Sequence, residues 1–233
     1  MFKWFSKEAK SAGLRKMRTE FGQMLDSGKH TFDTAANAFL GGTDLEVIRK
    51  DLFATDKRIN KAERQIRRDL VVHASVHGEA DFPACLVLMS IVKDAERLGD
   101  YSKNVFDLAE MAPEKPSGEH RERLIDLKDR ISGIFSRCRE VFDEEEEDPA
   151  KELIRDAHAT EDLCDTEIEK LIRGGSGEGT MGPTYVLAYR YLKRITSHLR
   201  NIASSIVQPL HKIDFTAKIV RKMEEEDAIE AQE

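Results

Sequence analysis

The feature that most constrains this chain is a three-four spacing of apolar residues sustained through its first segment. Leu14, Met17, Phe21, Met24, Gly28, Phe32, Ala35 and Phe39 step in the one pattern that an α-helix gathers onto a single face and that a strand, with its period of two, would scatter. The spacing predicts a helix from about Lys7 to Leu40. Gly41-Gly42 ends it, because glycine accepts the left-handed backbone of a helix C-terminus. Thr43 or Asp44 then caps the next helix.

The same pattern recurs five more times. Leu45, Ile48, Leu52, Ile59, Ala62, Ile66, Leu70 and His73 mark a second helix, closed by His77-Gly78. A third begins near Asp81, with Pro83 tolerated in its first turn, and runs to about Met111. Pro113, Pro116 and Ser117-Gly118 form the clearest linker. Leu124, Leu127, Ile131, Ile134, Cys138 and Val141 mark the fourth helix. The fifth is expected over about Ala150 to Arg173, followed by the glycine-rich stretch Gly174–Pro183. The sixth carries Ala188, Leu192, Ile195, Leu199, Ile202 and Ile206 up to Pro209, which breaks it. A further helical piece then fades into an acidic tail. With apolar residues at 40% and aromatics at 7% of 233 residues, the chain is expected to be all-α.

An internal repeat sits beneath this periodicity. The first and fourth helices align at an offset of 110, Leu14 with Leu124 and Phe21 with Ile131. The third and sixth align at an offset of 97, where the polar pairs Arg97 with Arg194 and Asn104 with Asn201 match as well as the apolar ones. The expected architecture is two repeats of an antiparallel three-helix bundle, residues 7–112 and 118–209, with a helical and acidic extension over 210–233.

Charge narrows the partners. The net charge is −7, which argues against nucleic acid. The acidic run Asp143–Asp148 and the tail Lys222–Glu233 read as solvated, as does the Lys50, Lys57, Lys61, Arg64, Arg68 side of the second helix. Met1–Phe5 is too short of apolar length for a signal peptide. No stretch is long and apolar enough to cross a bilayer. Cys85, Cys138 and Cys164 lie in apolar helical patterns without a C-x-x-C pair and read as reduced core residues.

The residues with chemical potential lie in Lys93–Val105. Glu96, Asp100 and Asn104 stand at i, i+4, i+8 and form one polar stripe, beside core-facing Ala95, Leu98, Ser102 and Val105. Asp56 and Asn60 form a second i, i+4 pair, placed to face Glu96 and Asp100 across an antiparallel hairpin. Carboxylates a turn apart repel, and a multivalent cation or an arginine relieves that repulsion. Three acids and an amide, all oxygen donors, suit a hard cation; an ordinary wet helix surface with Lys93 and Arg97 as partners suits the same residues. His73 and His77 are also i, i+4, but a helix C-terminal role, with His73 on the core stripe, explains them better than a metal does.

Glu96-Arg-Leu-Gly-Asp100 followed by Asn104-Val105 resembles the signature of the PhoU family of phosphate-uptake regulators, over about residues 14 to 208. The resemblance implies two three-helix repeats and metal bound through acid-x-x-x-Asp pairs. It also implies contact with a phosphate transporter and its sensor histidine kinase at the inner face of the membrane. On that basis Glu96, Asp100, Asp56 and Asn60 are the expected ligands of a divalent or ferric ion in the first repeat. The protein is expected to be cytoplasmic or peripheral to the membrane, with a homodimer left open. The second repeat departs from the pattern: Lys193 and Ser197 stand where the first has Glu96 and Asp100, while Glu161 and Asp165 remain, and Lys193 is placed to neutralise them. Gly99, inside the motif, costs a helix about 1 kcal/mol against alanine and points to a close helix approach.

Other classes fit less well. A di-iron bundle needs inward Glu-x-x-His pairs; a zinc hydrolase needs His-Glu-x-x-His and an NTPase a P-loop. None of these is present, so no enzyme is expected. An accessory subunit of an ion or phosphate permease and a structural helical adaptor stand as alternatives to the regulator.

Overall fold

The computed structural model describes residues 11–42, 44–77, 81–174 and 179–230, with side chains described to Glu225. The expectations for Met1–Phe5, for a helix start at Lys7 and for the middle of the glycine-rich stretch lie outside those residues. Among the described residues there are seven α-helices: α1 (Ala12–Phe39), α2 (Leu45–His77), α3 (Phe82–Met111), α4 (Gly118–Glu144), α5 (Glu147–Arg173), α6 (Gly182–Val207) and α7 (Ala217–Glu230). Among the described residues there is no strand, and no helix is long and apolar enough to cross a membrane.

Local chemistry sets the ends. Ser11 Oγ accepts from the Leu14 amide at 3.3 Å and caps α1. Leu40 closes that helix, and Gly41 follows at φ 87°, a backbone that glycine adopts without strain. Asp44 is the cap of α2, its Oδ1 accepting from the Glu46 amide at 2.9 Å. Pro83 and Pro183 sit in the first turns of α3 and α6, where the missing N–H is not needed. Pro209 follows the end of α6; a short 3-10 turn at Leu210–Lys212 leads to α7.

Two sequence expectations need correction here. Helix α5 starts at Glu147, so Pro149 lies inside its first turn. The acidic run Asp143–Asp148 is also not simply solvated, because it forms the turn between α4 and α5. Glu145 takes a left-handed backbone at φ 54° and is only 4% exposed. Its carboxylate lies 3.3 Å from Arg18, whose guanidinium also donates to the carbonyls of Phe142 and Asp143. A buried acid is tolerable when an arginine meets it, and nothing in the run itself foretells that partner.

Helices α1, α2 and α3 pack on one another, as do α4, α5 and α6. The two units join through α3 against α6 and α1 against α4, which leaves α2 and α5 on opposite outer sides; α7 packs on α5. The apolar stripe read from the sequence is the core: Leu14, Met17, Phe21, Met24, Phe32, Ala35 and Phe39 are all buried, as are Ile131, Ile195 and Ile202 of the second unit. Across the junction Phe21 meets Phe142 at 4.6 Å between ring centres, and Phe32 stacks on Phe135 at 5.5 Å.

The junction also holds a polar clasp. His198 Nδ1 lies 2.7 Å from Asp94 Oδ1, and Asn201 donates to the same oxygen at 3.0 Å. Tyr101 stacks on His198 at 5.6 Å and accepts from Arg194 at 3.3 Å. Arg194 and Asn201, matched in sequence to Arg97 and Asn104, thus serve the seam between the units.

Candidate functional site

The α2–α3 face is where the sequence-predicted residues meet. Its closeness depends on Gly99: a Cβ placed there would stand 3.1 Å from Ile59 Cδ1. The close approach expected from a glycine inside the motif is therefore real, and Ile59 is its partner. Ala95, Leu98, Ser102 and Val105 are buried as expected. Asp56 on α2 and Glu96 on α3 are buried, at 8% and 9% exposure, and Asp100 is half-buried.

The acids feel one another across the helix gap. Burial pushes the Asp56 carboxyl above the ordinary aspartate range; Lys103 opposes this, while Asp100 and Glu96 reinforce it. Asn60 Nδ2 donates to Asp56 Oδ2 at 3.3 Å. The four predicted residues thus occupy one neighbourhood. Two of the carboxylates are held by cations of their own helix: Lys93 Nζ lies 2.7 Å from Glu96 Oε2, and Arg97 Nη1 lies 2.8 Å from Asp100 Oδ2. Among the described residues, no group of three or more acidic, histidine or cysteine side chains is placed to hold a metal ion. Lys93 and Arg97 have side chains 39% and 45% exposed, so these two ion pairs lie at the solvent edge of the face.

Sequence reasoning missed Glu63. It is buried at 7% exposure, two turns after Asp56 on the same side of α2. Its Oε1 lies 3.2 Å from Arg67 and 3.9 Å from Lys93, yet has no well-aligned hydrogen bond. Lys93 therefore stands between Glu63 and Glu96. The available signal was the i+7 spacing from Asp56, hidden because Glu63 also reads as one more charge in a charged helix.

The equivalent face of the second unit is built differently. Lys193 Nζ reaches across from α6 to bond Asp165 Oδ2 directly. Arg200 Nε lies 2.8 Å from Glu161 Oε1. Ser197 Oγ turns back to the Lys193 carbonyl at 3.0 Å. Lys193 thus meets Asp165 alone of the two acids it was expected to neutralise, and Glu161 is met instead by Arg200.

Three other sequence candidates have plainer roles. His73 Nε2 lies 2.8 Å from Asp81 Oδ2 and 3.0 Å from Ser11 Oγ, and Ser11 donates to the same Asp81 oxygen at 2.6 Å. This ties together the ends of α1, α2 and α3. His77 stacks on His73 at 4.3 Å instead of converging with it on a point. All three cysteines are buried and outside any disulfide, and burial raises the Cys138 and Cys164 thiols to about 12. Lys50, Lys57, Lys61, Arg64 and Arg68 are exposed along α2.

The PhoU domain model matches residues 21–109, the segment that contains Asp56, Asn60, Glu63, Glu96 and Asp100. No curated protein matches the chain. Among solved structures, PhoU from Pseudomonas aeruginosa superposes with a TM-score of 0.71 at 19% identity, covering 86% of this chain and 98% of that one. The phosphate transport system regulatory protein PhoU from Streptococcus pneumoniae gives 0.69 at 18% identity, covering 83% and 93%. Residues 21–109 thus match the PhoU domain model, and most of the chain shares its fold with these two PhoU structures.

Proposed function

We propose that this protein regulates phosphate uptake by contact with other proteins and not by catalysis, its partner being a phosphate transporter, its sensor histidine kinase, or both, at the inner face of the membrane. The observation that carries the reading is the PhoU domain match over residues 21–109 inside a whole-chain PhoU fold. The first repeat supplies a cation-responsive element: Asp56, Glu96 and Asp100, with Asn60 beside them, hold a divalent or ferric ion when Lys93 and Arg97 release their acids. An ion there would tie α2 to α3.

The surface offered to a partner is the outer side of α2. Lys50, Lys57, Lys61, Arg64 and Arg68 are exposed, and among the described residues none of them is in an ion pair with an acid. They run for five turns beside the cation-responsive face. An acidic segment of a partner fits such a stripe by charge, with contacts sensitive to salt.

The test is co-purification from solubilised membranes of cells carrying the tagged chain. Retention of a phosphate permease subunit or histidine kinase, weakened by charge reversal at Lys57, Lys61 and Arg64, supports the reading. Recovery of the tagged chain with neither partner, together with unchanged phosphate uptake in cells lacking the protein, refutes it.

A further inference from the structure

The cationic stripe on α2 cannot select a partner by itself. Its side chains are exposed, and exposed ion pairs are screened by salt and contribute little once the ordering of long side chains is counted. Selective docking surfaces add a preformed recess for a large apolar group. Such a recess lies along the α1 side of the stripe. It is an open cleft of about 410 Å³ between α1 and α2, floored by Met24, Ile59 and Ala62. Met24 and Ile59 are each 2% exposed and fixed by the core, Ile59 against Gly99 of α3, so the floor is formed before anything binds. The polar groups at its rim are short of partners. Arg58 donates to Thr55 Oγ1 at 2.6 Å, and among the described residues neither Arg58 nor Lys61 is in an ion pair. Glu20 Oε1 lies 3.5 Å from Lys16, but Glu20 Oε2 is buried and accepts no hydrogen bond among the described residues. Buried acceptors are ordinarily paired, so this one is open to a donor from outside.

Building on the reading of α2 as the partner surface, we propose that the α1–α2 cleft is its anchor pocket and takes one large apolar side chain from the partner's acidic segment. Lys61 belongs to both features: it lines the cleft and continues the stripe of Lys57, Arg64 and Arg68. A segment lying along the stripe therefore passes over the mouth of the cleft. Acids on either side of the anchor residue meet Arg58 and Lys61, and a main-chain N–H or a hydroxyl beside it reaches Glu20 Oε2. Charge complementarity selects this occupant. Helix α2 carries eight Lys and Arg against five Asp and Glu in a chain of net charge −7, so an anionic segment is drawn to this helix and opposed by the net charge of the remainder. A free small molecule fits the cleft less well, because the cleft is open along the helices, whereas small-molecule pockets bury most of their ligand. The stripe thus supplies attraction, and the cleft supplies the choice of residue.

The probe is a library of random peptides displayed on phage and panned against the purified full-length chain, with Kd then measured for the enriched sequences as free peptides. Those sequences are expected to carry one large apolar residue flanked by Asp or Glu and to shift the methyl NMR signal of Met24. Ala62→Trp, which fills the cleft, is expected to weaken them at least about tenfold in Kd, as is replacement of the peptide's apolar residue by Ala. Lys57→Glu/Arg64→Glu is expected to weaken them too and to lower their sensitivity to salt. Should Ala62→Trp not fold, Ser27→Leu narrows the cleft from α1 and is read for the same loss. Enriched peptides that leave the Met24 signal unmoved and bind the cleft variants as well as wild type overturn the inference, and so does a library that yields no acidic peptide with an apolar anchor. If a permease subunit or kinase is retained from membranes, lost on charge reversal and kept by the cleft variants, the anchor pocket fails and the regulator reading stands. If cleft-dependent peptides are found but neither membrane partner is recovered, the pocket stands and the regulator reading fails.

Discussion

Gly99 offers the sharpest test of how the α2–α3 face is held. Replacing it with alanine brings two opposed effects. Within a helix the change from glycine to alanine gains about 1 kcal/mol from backbone entropy. The new methyl, however, arrives 3.1 Å from Ile59 Cδ1, about 0.3 Å inside ordinary van der Waals contact. Ile59 is 2% exposed and cannot retreat into solvent, but the atom met is the far end of its side chain and yields by a small rotation. The expected net effect of Gly99→Ala is within about 1 kcal/mol of zero. Gly99→Val places two further carbons in the same gap and is expected to cost about 2–3 kcal/mol.

The decisive form is a double-mutant cycle read by urea denaturation. Ile59→Val alone removes the Cδ1 methyl and is expected to cost about 1 kcal/mol. Combined with Gly99→Ala, the added methyl enters the space vacated, so the double variant is more stable than the sum of the singles by at least about 0.5 kcal/mol. Strict additivity would show that the two side chains do not share that space, and the account of Gly99 as the contact point of the two helices would fall.

Three further outcomes follow from the geometry. Burial raises the native Asp56 carboxyl above its ordinary value of 3.8, so its charged form is penalised in the folded state; the penalty is absent well below that pH, grows as pH rises through the window up to the raised value, and is complete above it. Asp56→Asn is therefore expected to stabilise the metal-free protein at pH 7, with the gain shrinking as pH falls toward 3.8; a variant no more stable than wild type at pH 7 in urea titration contradicts this. Asp94→Ala leaves His198 Nδ1 and the Asn201 amide without their shared acceptor and is expected to cost about 2–3 kcal/mol, with a loss below 1 kcal/mol counting against the clasp as a structural element. Native protein is expected to resist thiol reagents at pH 8, because the Cys138 and Cys164 thiols are raised to about 12 by burial and Cys85 is 3% exposed, with labelling only on unfolding; rapid labelling of folded protein at Cys138 or Cys164 would refute their burial.

The helices, their buried stripes and their main stops were legible in the sequence. Positions three and four apart share a face whatever the rest of the molecule does, so Leu14 to Phe39 could be assigned to the core without knowing what they touch. Caps such as Asp44 and stops such as Gly41 act within a few residues and are equally local. The same rule placed Glu96 and Asp100 on one stripe and made Gly99 conspicuous. Pairings between helices depend instead on rotation, crossing angle and depth, which no local spacing encodes. Only the tertiary structure decided that Arg18 buries Glu145, that Glu63 joins the acidic face, and that Asp94 is the acceptor for His198 and Asn201. The sequence by itself determined that the second repeat had exchanged its acids for Lys193 and Ser197. It took the packing of α5 against α6 to bring Lys193 onto Asp165 and Arg200 onto Glu161, because a charge neutralises another only where the fold brings the two within reach.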